Sequence, residues 1–312
     1  MRALIVGSTG FVGERLSREL IERGHDVACV VRDPEGASAA ALADCGCELR
    51  RADLTDPASL ETAVADIDVV YYLAHLMAAN GQEGLIPEEE DAARSLGRAA
   101  KRAGVGCLIY LGGLGDPTAS EHLRARHRTA EVLRAEGPPL TYLRAAMVVG
   151  ERSGSYVLLK SLVERAPALP SPEWLENRTQ PIGVEDVVAY LADAPAIAET
   201  RGREIELGGP ELMTYSQMLE GMAAALGEGL PWRMPAAGKI SPRAAGRAAG
   251  AISRGEPAVA ELLTAGLATD TVVTDPSGME LFEIEPEPYR IALARAVEDE
   301  FRAEEGAERE AR

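Results

Sequence analysis

The chain has 312 residues, 46% of them hydrophobic, enough to bury the core of one large α/β unit with or without a smaller attached lobe. Its formal net charge of −18 sets it against phosphate backbones and anionic lipid, which argues against direct nucleic-acid binding. No apolar run reaches the roughly 18–20 residues needed to cross a bilayer, so a cytoplasmic protein without a membrane span is expected.

Met1-Arg2 leads straight into a short apolar stretch and glycines, which reads as a first β-strand and not as a signal peptide. Apolar, β-branched runs predict strands at 3–6, 26–31, 47–51, 68–73, 106–111 and 140–145. Amphipathic patterns between them predict helices at about 12–24, 36–45, 57–66, 87–103 and 119–136. Such alternation implies βαβ crossovers and a parallel sheet, and the nearly continuous apolarity of the strands is that of a sheet covered on both faces. Asp56 and Pro57 supply an N-cap and a first helical residue. The glutamates after Pro87 suit the positive end of a helix dipole.

Residues 151–180 are rich in Pro, Gly and Ser and carry Trp174. A helix from about Glu185 to Asp193, a strand at 203–207 and a helix over Leu212–Leu226 follow, then a Gly/Pro/Ala-rich stretch over 227–283. Residues 286–312 form a charged helix expected to fray into a disordered tail at 304–312. The expected fold is a Rossmann-type doubly wound parallel sheet over 1–150 with a return at about 178–208. A smaller C-terminal α+β lobe, from about 151–177 and 209–303, would lie over a cofactor's reactive end. Cys29 and Cys107 sit in apolar runs as small hydrophobes. Cys45-Gly46-Cys47 lacks a second ligand pair at metal-site spacing, so no metal is expected.

The chemistry begins at residues 7–13, Gly7-Ser8-Thr9-Gly10-Phe11-Val12-Gly13, at a strand-to-helix junction. Gly7 permits a sharp turn, Gly10 lets a diphosphate approach the backbone, and Gly13 lets the helix pack closely on the sheet. The phosphates would sit on the unpaired N–H groups at the helix start. An NAD-specific site places a carboxylate at the end of the second strand to hold the ribose 2′-hydroxyl. Here Val30-Val31 is followed by Arg32, which favours a 2′-phosphate and so NADP over NAD. Two alternatives stay open: Asp33 reaching the ribose after a shift of one residue, and Arg32 as a plain solvated turn residue. Asp53-Leu54 either contacts adenine or forms an ordinary loop.

The segments GSTGFVG at 7–13, VVRDP at 30–34, ADLTDPASL at 52–60 and VVYYLAHLM at 69–77 resemble atypical, extended-like short-chain dehydrogenase/reductase (SDR) proteins. The likeness lies in the NmrA-like neighbourhood, towards the bacterial YbjT-type NAD(P)-binding proteins. It continues through LIYLGGLG at 108–115, LRAAMVVG at 143–150, QPIGVEDVVAYL at 180–191, ELGGPELMTY at 206–215 and TDTVVTDPSGMELFEIEP at 269–286. The resemblance implies that Leu73 and Ala74, with His75 at the cleft, flank the adenosine and ribose, and that Ala145 approaches the nicotinamide.

SDR enzymes commonly use a serine after the fifth strand and a Tyr-x-x-x-Lys pair on the next helix, the tyrosine as proton donor. Here the serine position reads Gly112-Gly113, and the family register places Leu123 at the tyrosine and His127 at the lysine. His127 would then contact ribose or transfer a proton; His122 and Arg144 are further catalytic candidates. His75 is either a cleft residue or a structural histidine. Arg126 is read as a solvated or paired arginine, with Trp174 and Gln180 at a pocket edge or in lobe packing. These residues point to an NADP(H)-dependent oxidoreductase of noncanonical site acting on a carbonyl, enone or quinone, or to a non-catalytic NADP(H)-binding sensor or assembly protein. Its partner is accordingly a small-molecule substrate or another protein.

Overall fold

The computed structural model describes residues 1–74, 85–165, 168–171, 173–229, 232–235 and 269–310. Its centre is a parallel sheet of β1 (Arg2–Val6), β2 (Asp26–Val31), β3 (Glu48–Arg51), β4 (Val69–Tyr72), β5 (Cys107–Gly113), β6 (Leu140–Ala145) and β11 (Glu204–Leu207). The spatial order is β11-β6-β5-β4-β1-β2-β3. Strand order therefore reverses between β1 and β4, and ligands of doubly wound sheets bind at the strand C-termini beside such a switch.

Alternate residues of each strand face opposite layers. Ala3, Ile5, Cys29, Val31, Tyr71 and Ile109 share one core with α1 (Phe11–Glu22), α2 (Ala37–Asp44) and α7 (Val184–Asp193). Leu4, Val6, Val30, Tyr72, Tyr110 and Tyr142 share the other with α3 (Pro57–Ala63), α4 (Leu85–Ala103) and α5 (Glu121–Glu136). Burial on both faces explains the lack of polar alternation in the central strands. β3 is the exposed edge, and its Glu48 pairs with Arg2 and Arg50, charges of the kind that keep an edge from pairing with another chain.

The caps follow the sequence. Asp56 accepts a hydrogen bond from the Ala58 amide ahead of α3 at 3.1 Å, and Ser120 caps α5 through the Leu123 amide. The helix expected from Leu212 begins instead as α8 (Tyr215–Leu226), because Thr214 and Gln217 close a capping box there.

A third core joins α6 (Gly154–Arg165), α8 and α9 (Tyr289–Glu310) through Tyr156, Leu159, Met218, Met222, Tyr289 and Leu293. Short ladders accompany it: β7 (Val148–Val149) with β10 (Ile182–Gly183), β9 (Arg178–Thr179) with β12 (Met213–Thr214), and β8 (Ala168–Ser171) with β13 (Trp232–Pro235). Two expectations need correction. Residues 304–310, expected as a disordered tail, continue α9. Residues 276–282, placed by sequence in the lobe, pack on the sheet: a methyl on Gly278 would lie 2.8 Å from Ile205 on β11, and Phe282 meets the Tyr190 ring edge-on at 4.9 Å. An apolar residue this far along the chain gives no local sign of the strand it will cover. Among the described residues no helix is long and apolar enough to cross a membrane, and no group of His, Cys, Asp and Glu could hold a metal ion.

Candidate dinucleotide site

The turn between β1 and α1 leaves no room for side chains. Gly7 has φ 92°, and a Cβ there would lie 2.6 Å from the Ala74 nitrogen and 2.7 Å from the Leu73 carbonyl carbon. The end of β4 therefore lies directly against the turn, with the Leu73 amide donating to the Val6 carbonyl at 2.8 Å. A Cβ on Gly13 would fall 2.2 Å from the Gly7 oxygen. Ser8 is fully buried and donates to the Val30 carbonyl at 3.1 Å, tying the turn to β2. Thr9 and Gly10 are exposed, and no side chain caps α1 at Gly10. The first amides of α1 thus begin at an exposed turn with no side-chain cap, which fits a diphosphate. Phe11 and Val12 are half-buried. Only the backbone of Phe11 serves that turn, since its ring turns to Gly150, where a Cβ would stand 2.4 Å from Cζ.

At the end of β2, Arg32 is exposed and makes no hydrogen bond or ion pair with the described residues. Asp33 is occupied: its Oδ1 accepts the Glu35 amide at 3.1 Å within its own turn. Asp53 likewise accepts the Thr55 amide at 2.8 Å and the Thr55 hydroxyl at 2.7 Å. Those bonds, with Arg32 nearby, hold its carboxyl below the ordinary aspartate value. Leu54 packs partly buried on the α3–α5 core.

At the other end of the crevice, the Tyr142 ring covers Gly112, where a Cβ would meet Tyr142 Cε2 at 2.6 Å. A Cβ on Gly113 would meet Leu123 Cδ2 at 2.9 Å, and one on Gly115 would meet Leu123 Cδ1 at 3.1 Å. Leu123 therefore fills the space above the β5 glycines. Ala145 is buried and its carbonyl accepts the Leu114 amide at 2.7 Å. Arg144 is fully engaged: it donates to the carbonyls of Gly115 at 2.5 Å and Gly113 at 3.5 Å, and it pairs with Glu204 at 2.8 Å and Glu206 at 3.6 Å.

The two helix histidines differ. His122 Nε2 accepts from Arg126 Nε at 3.1 Å, and burial together with the Arg126 charge pushes its pKa down to about 3. It is a neutral acceptor through Nε2 at pH 7 and lacks the second ring proton that an imidazolium would give as an acid. His127 stands 3.7 Å from Glu131 through Nε2, while its Nδ1 is buried without a hydrogen-bond partner among the described residues. Such an atom is costly unless something completes it. Gln180 spends both amide ends on Gly209 and Val273. His75 and the Trp174 side chain lie outside the described residues.

A model of the NAD(P)H-binding family matches residues 7–168, just over half of the chain. The chain belongs to the NAD(P)H-binding family. The SDR resemblance read from the motifs is borne out at this level. One relative, a ceramide reductase of Caulobacter vibrioides, is 26% identical over 228 residues, covering 72% of this chain and 70% of that protein. The structure of an Escherichia coli NADPH-dependent quinone oxidoreductase complexed with NADPH superposes with TM-score 0.73 at 20% identity, covering 96% of this chain and all of that one. A Citrobacter triphenylmethane reductase complexed with NADP(H) superposes with TM-score 0.71 at 18% identity, over 95% of this chain and all of that one. At these identities the structural likeness is one of fold.

For a member of the NAD(P)H-binding family, the residues that sequence missed are those joining the nucleotide turn to the rest of the chain. Arg15, on α1, pairs with Glu151 at 2.5 Å and Glu185 at 3.3 Å. These partners lie 136 and 170 positions away, so no local pattern marks them. Gly150 was visible only as the end of a motif; its service as the seat for Phe11 needs the fold.

Proposed function

We propose that this protein is an NADP(H)-dependent oxidoreductase that works without the Ser, Tyr and Lys of typical SDR enzymes, on a carbonyl, enone or quinone. The amides from Gly10 to Gly13 would hold the diphosphate, Arg32 the 2′-phosphate, Leu73 and Ala74 the adenosine, and His127 the nicotinamide ribose, with Ala145 beneath the nicotinamide. When bound, the cofactor supplies a hydride at its nicotinamide ring. The observation that carries the preference for NADP is at the end of β2: the exposed Arg32 guanidinium forms no hydrogen bond or ion pair among the described residues, whereas the Asp33 carboxylate is used by its own turn. A guanidinium matches a phosphate with two parallel bonds. The names of the relatives, reductases of ceramide, quinones and triphenylmethane dyes, agree with reduction as the activity.

The chain's own residues would orient the reactants and exclude water. Leu123, Ala145 and Ala146 are buried at the catalytic end, and Arg144 fixes the loop 113–115. His127 would offer a ring nitrogen to a ribose hydroxyl; its Nδ1 is buried and has no hydrogen-bond partner among the described residues. With Leu123 at the tyrosine position and His122 a neutral imidazole and not an imidazolium at pH 7, a reduced oxygen would take its proton from water. Acceptors whose reduced form tolerates a transient anion, quinones foremost, suit such a site. The test is NADPH oxidation followed at 340 nm across a panel of quinones, enones and simple ketones. Turnover of quinones is expected, and a flat trace across the panel with NADPH binding intact overturns the activity.

The Leu123–Gly113 contact also favours a second reading, a redox sensor that binds the dinucleotide without turnover. It requires different affinities for NADPH and NADP, and capture of a specific protein by one form only. Equal affinities remove it.

A further inference from the structure

The helix that would receive the diphosphate is also the place where the α6–α9 core is fastened to the sheet. Phe11, the first residue of α1, lies with its ring against Gly150, under the Arg15 guanidinium at 4.3 Å and near that of Arg152 at 6.0 Å. Arg15 reaches back to the Phe11 carbonyl at 3.4 Å and forward to Glu151 at 2.5 Å and Glu185 at 3.3 Å. Arg152 pairs with Glu14 on the same turn of α1. The Arg15 and Glu151 side chains are only 15% and 11% exposed, so this pair is shielded from solvent as surface pairs are not. From Glu151 the chain enters α6, whose Tyr156 is buried in the third core. One uninterrupted set of contacts thus runs from the amide-bearing turn of α1, through the Phe11 ring and Arg15, to the first helix of the other core.

We propose that Arg15 and Phe11 are positioning residues that couple occupancy of the dinucleotide turn to the seating of residues 150–165, so that binding the cofactor tightens α6 and loosening α6 weakens the cofactor. The physical reason is reciprocity. The Phe11 amide belongs to the open end of α1, and the ring of the same residue is held between Gly150 and Arg15. A diphosphate that fixes those amides fixes the ring, and the ring fixes Gly150 and Glu151. Where occupancy of one site changes the stability of the other, the effect is reciprocal and of the same factor. This inference rests on the dinucleotide site proposed above, and not on turnover.

The experiment uses the full chain with NADPH as the probe. NADPH affinity is measured by fluorescence titration, and amide hydrogen exchange in 154–165 is followed with and without NADPH. Removing Arg15 alone would leave Glu151 with only the longer Arg152 contact at 3.8 Å and could unfold the protein, so the principal variant is the double substitution Arg15→Met, Glu151→Met, which removes both charges and keeps apolar bulk. A second lever acts from the other side and touches no charge: Gly150→Ala, which displaces the Phe11 ring. In the natural chain NADPH should slow exchange in 154–165. In both variants NADPH affinity should fall at least fivefold, with the remaining protection confined to the turn at 7–20. The exchanged pair Arg15→Glu, Glu151→Arg should restore part of the coupling. The proposal is overturned if NADPH leaves 154–165 of the natural chain unprotected. It is equally overturned if the variants lose thermal stability but bind NADPH with unchanged affinity well below their melting temperature, which is what a merely structural clamp would give.

Discussion

Leu123 Cδ2 lies 2.9 Å from the point where a side chain on Gly113 would begin, so the residue at the end of β5 and the residue on the first turn of α5 set each other's size. Gly113→Ser should therefore cost about 1–3 kcal/mol by overpacking. Leu123→Ala opens a hole of its own, but the serine fills part of it. Urea unfolding of both single variants and the double should show the double more stable than the sum of the singles predicts. Strict additivity would mean that the two side chains do not share this space.

Arg32→Ala should weaken NADPH by tenfold or more, about 1.4 kcal/mol, and leave NADH within twofold. Titration with both cofactors checks this. Equal losses for the two would remove the 2′-phosphate from the account of Arg32.

His122 should make the protein sensitive to mild acid. In the unfolded chain a histidine titrates near 6.5, whereas folded His122 is pushed down to about 3 by burial and by Arg126. Between those values the unfolded chain takes up a proton that the folded chain refuses. The stability at stake is fully present above pH 6.5 and falls as the pH drops, by about 1.4 kcal/mol per unit at most, levelling near pH 3. From pH 7.5 to 5.0 this residue should cost about 2 kcal/mol. His122→Gln keeps an acceptor for Arg126 and should flatten the difference in unfolding free energy between the two pH values. An unchanged difference would assign the proton to another group.

Arg144→Met should cost about 2 kcal/mol, since it leaves Glu204 and Glu206 adjacent and frees the 113–115 carbonyls. Arg144→Lys should recover less than half, because one ammonium cannot reach two carbonyls and two carboxylates together. Chemical denaturation distinguishes these values. A lysine variant as stable as the natural chain would show that charge alone, and not the forked geometry, holds the loop.

The glycine turn, the first six strands and the helices between them were legible because each rests on local rules: a positive φ, an apolar run, a cap. Asp56-Pro57 announces its helix within two residues. The site beyond the turn was only half legible. Arg144 was visible as a charge at a strand end, but its partners, Glu204 and Glu206, become neighbours only when β11 pairs with β6. His122 and His127 look alike in the sequence; the fold separates them by giving one an arginine and leaving the other a buried, unsatisfied nitrogen. The 276–282 segment was misplaced because its destination, Ile205, is a long-range contact with no periodic signature.

The register of β11 on β6, from Glu204 opposite Tyr142 to Leu207 opposite Ala145, has a consequence for how the chain is made. The nucleotide-binding half leaves the ribosome first, but β6 remains an open parallel edge until Leu207 has followed. At about 5–20 residues per second, the stretch from Gly150 to Leu207 takes roughly 3 to 11 s. During that interval the row of unpaired N–H and C=O groups on β6 can pair with any passing strand. A chain released after Gly150 would keep that edge permanently, and its expected fate is aggregation, although every glycine of the dinucleotide turn is already in place.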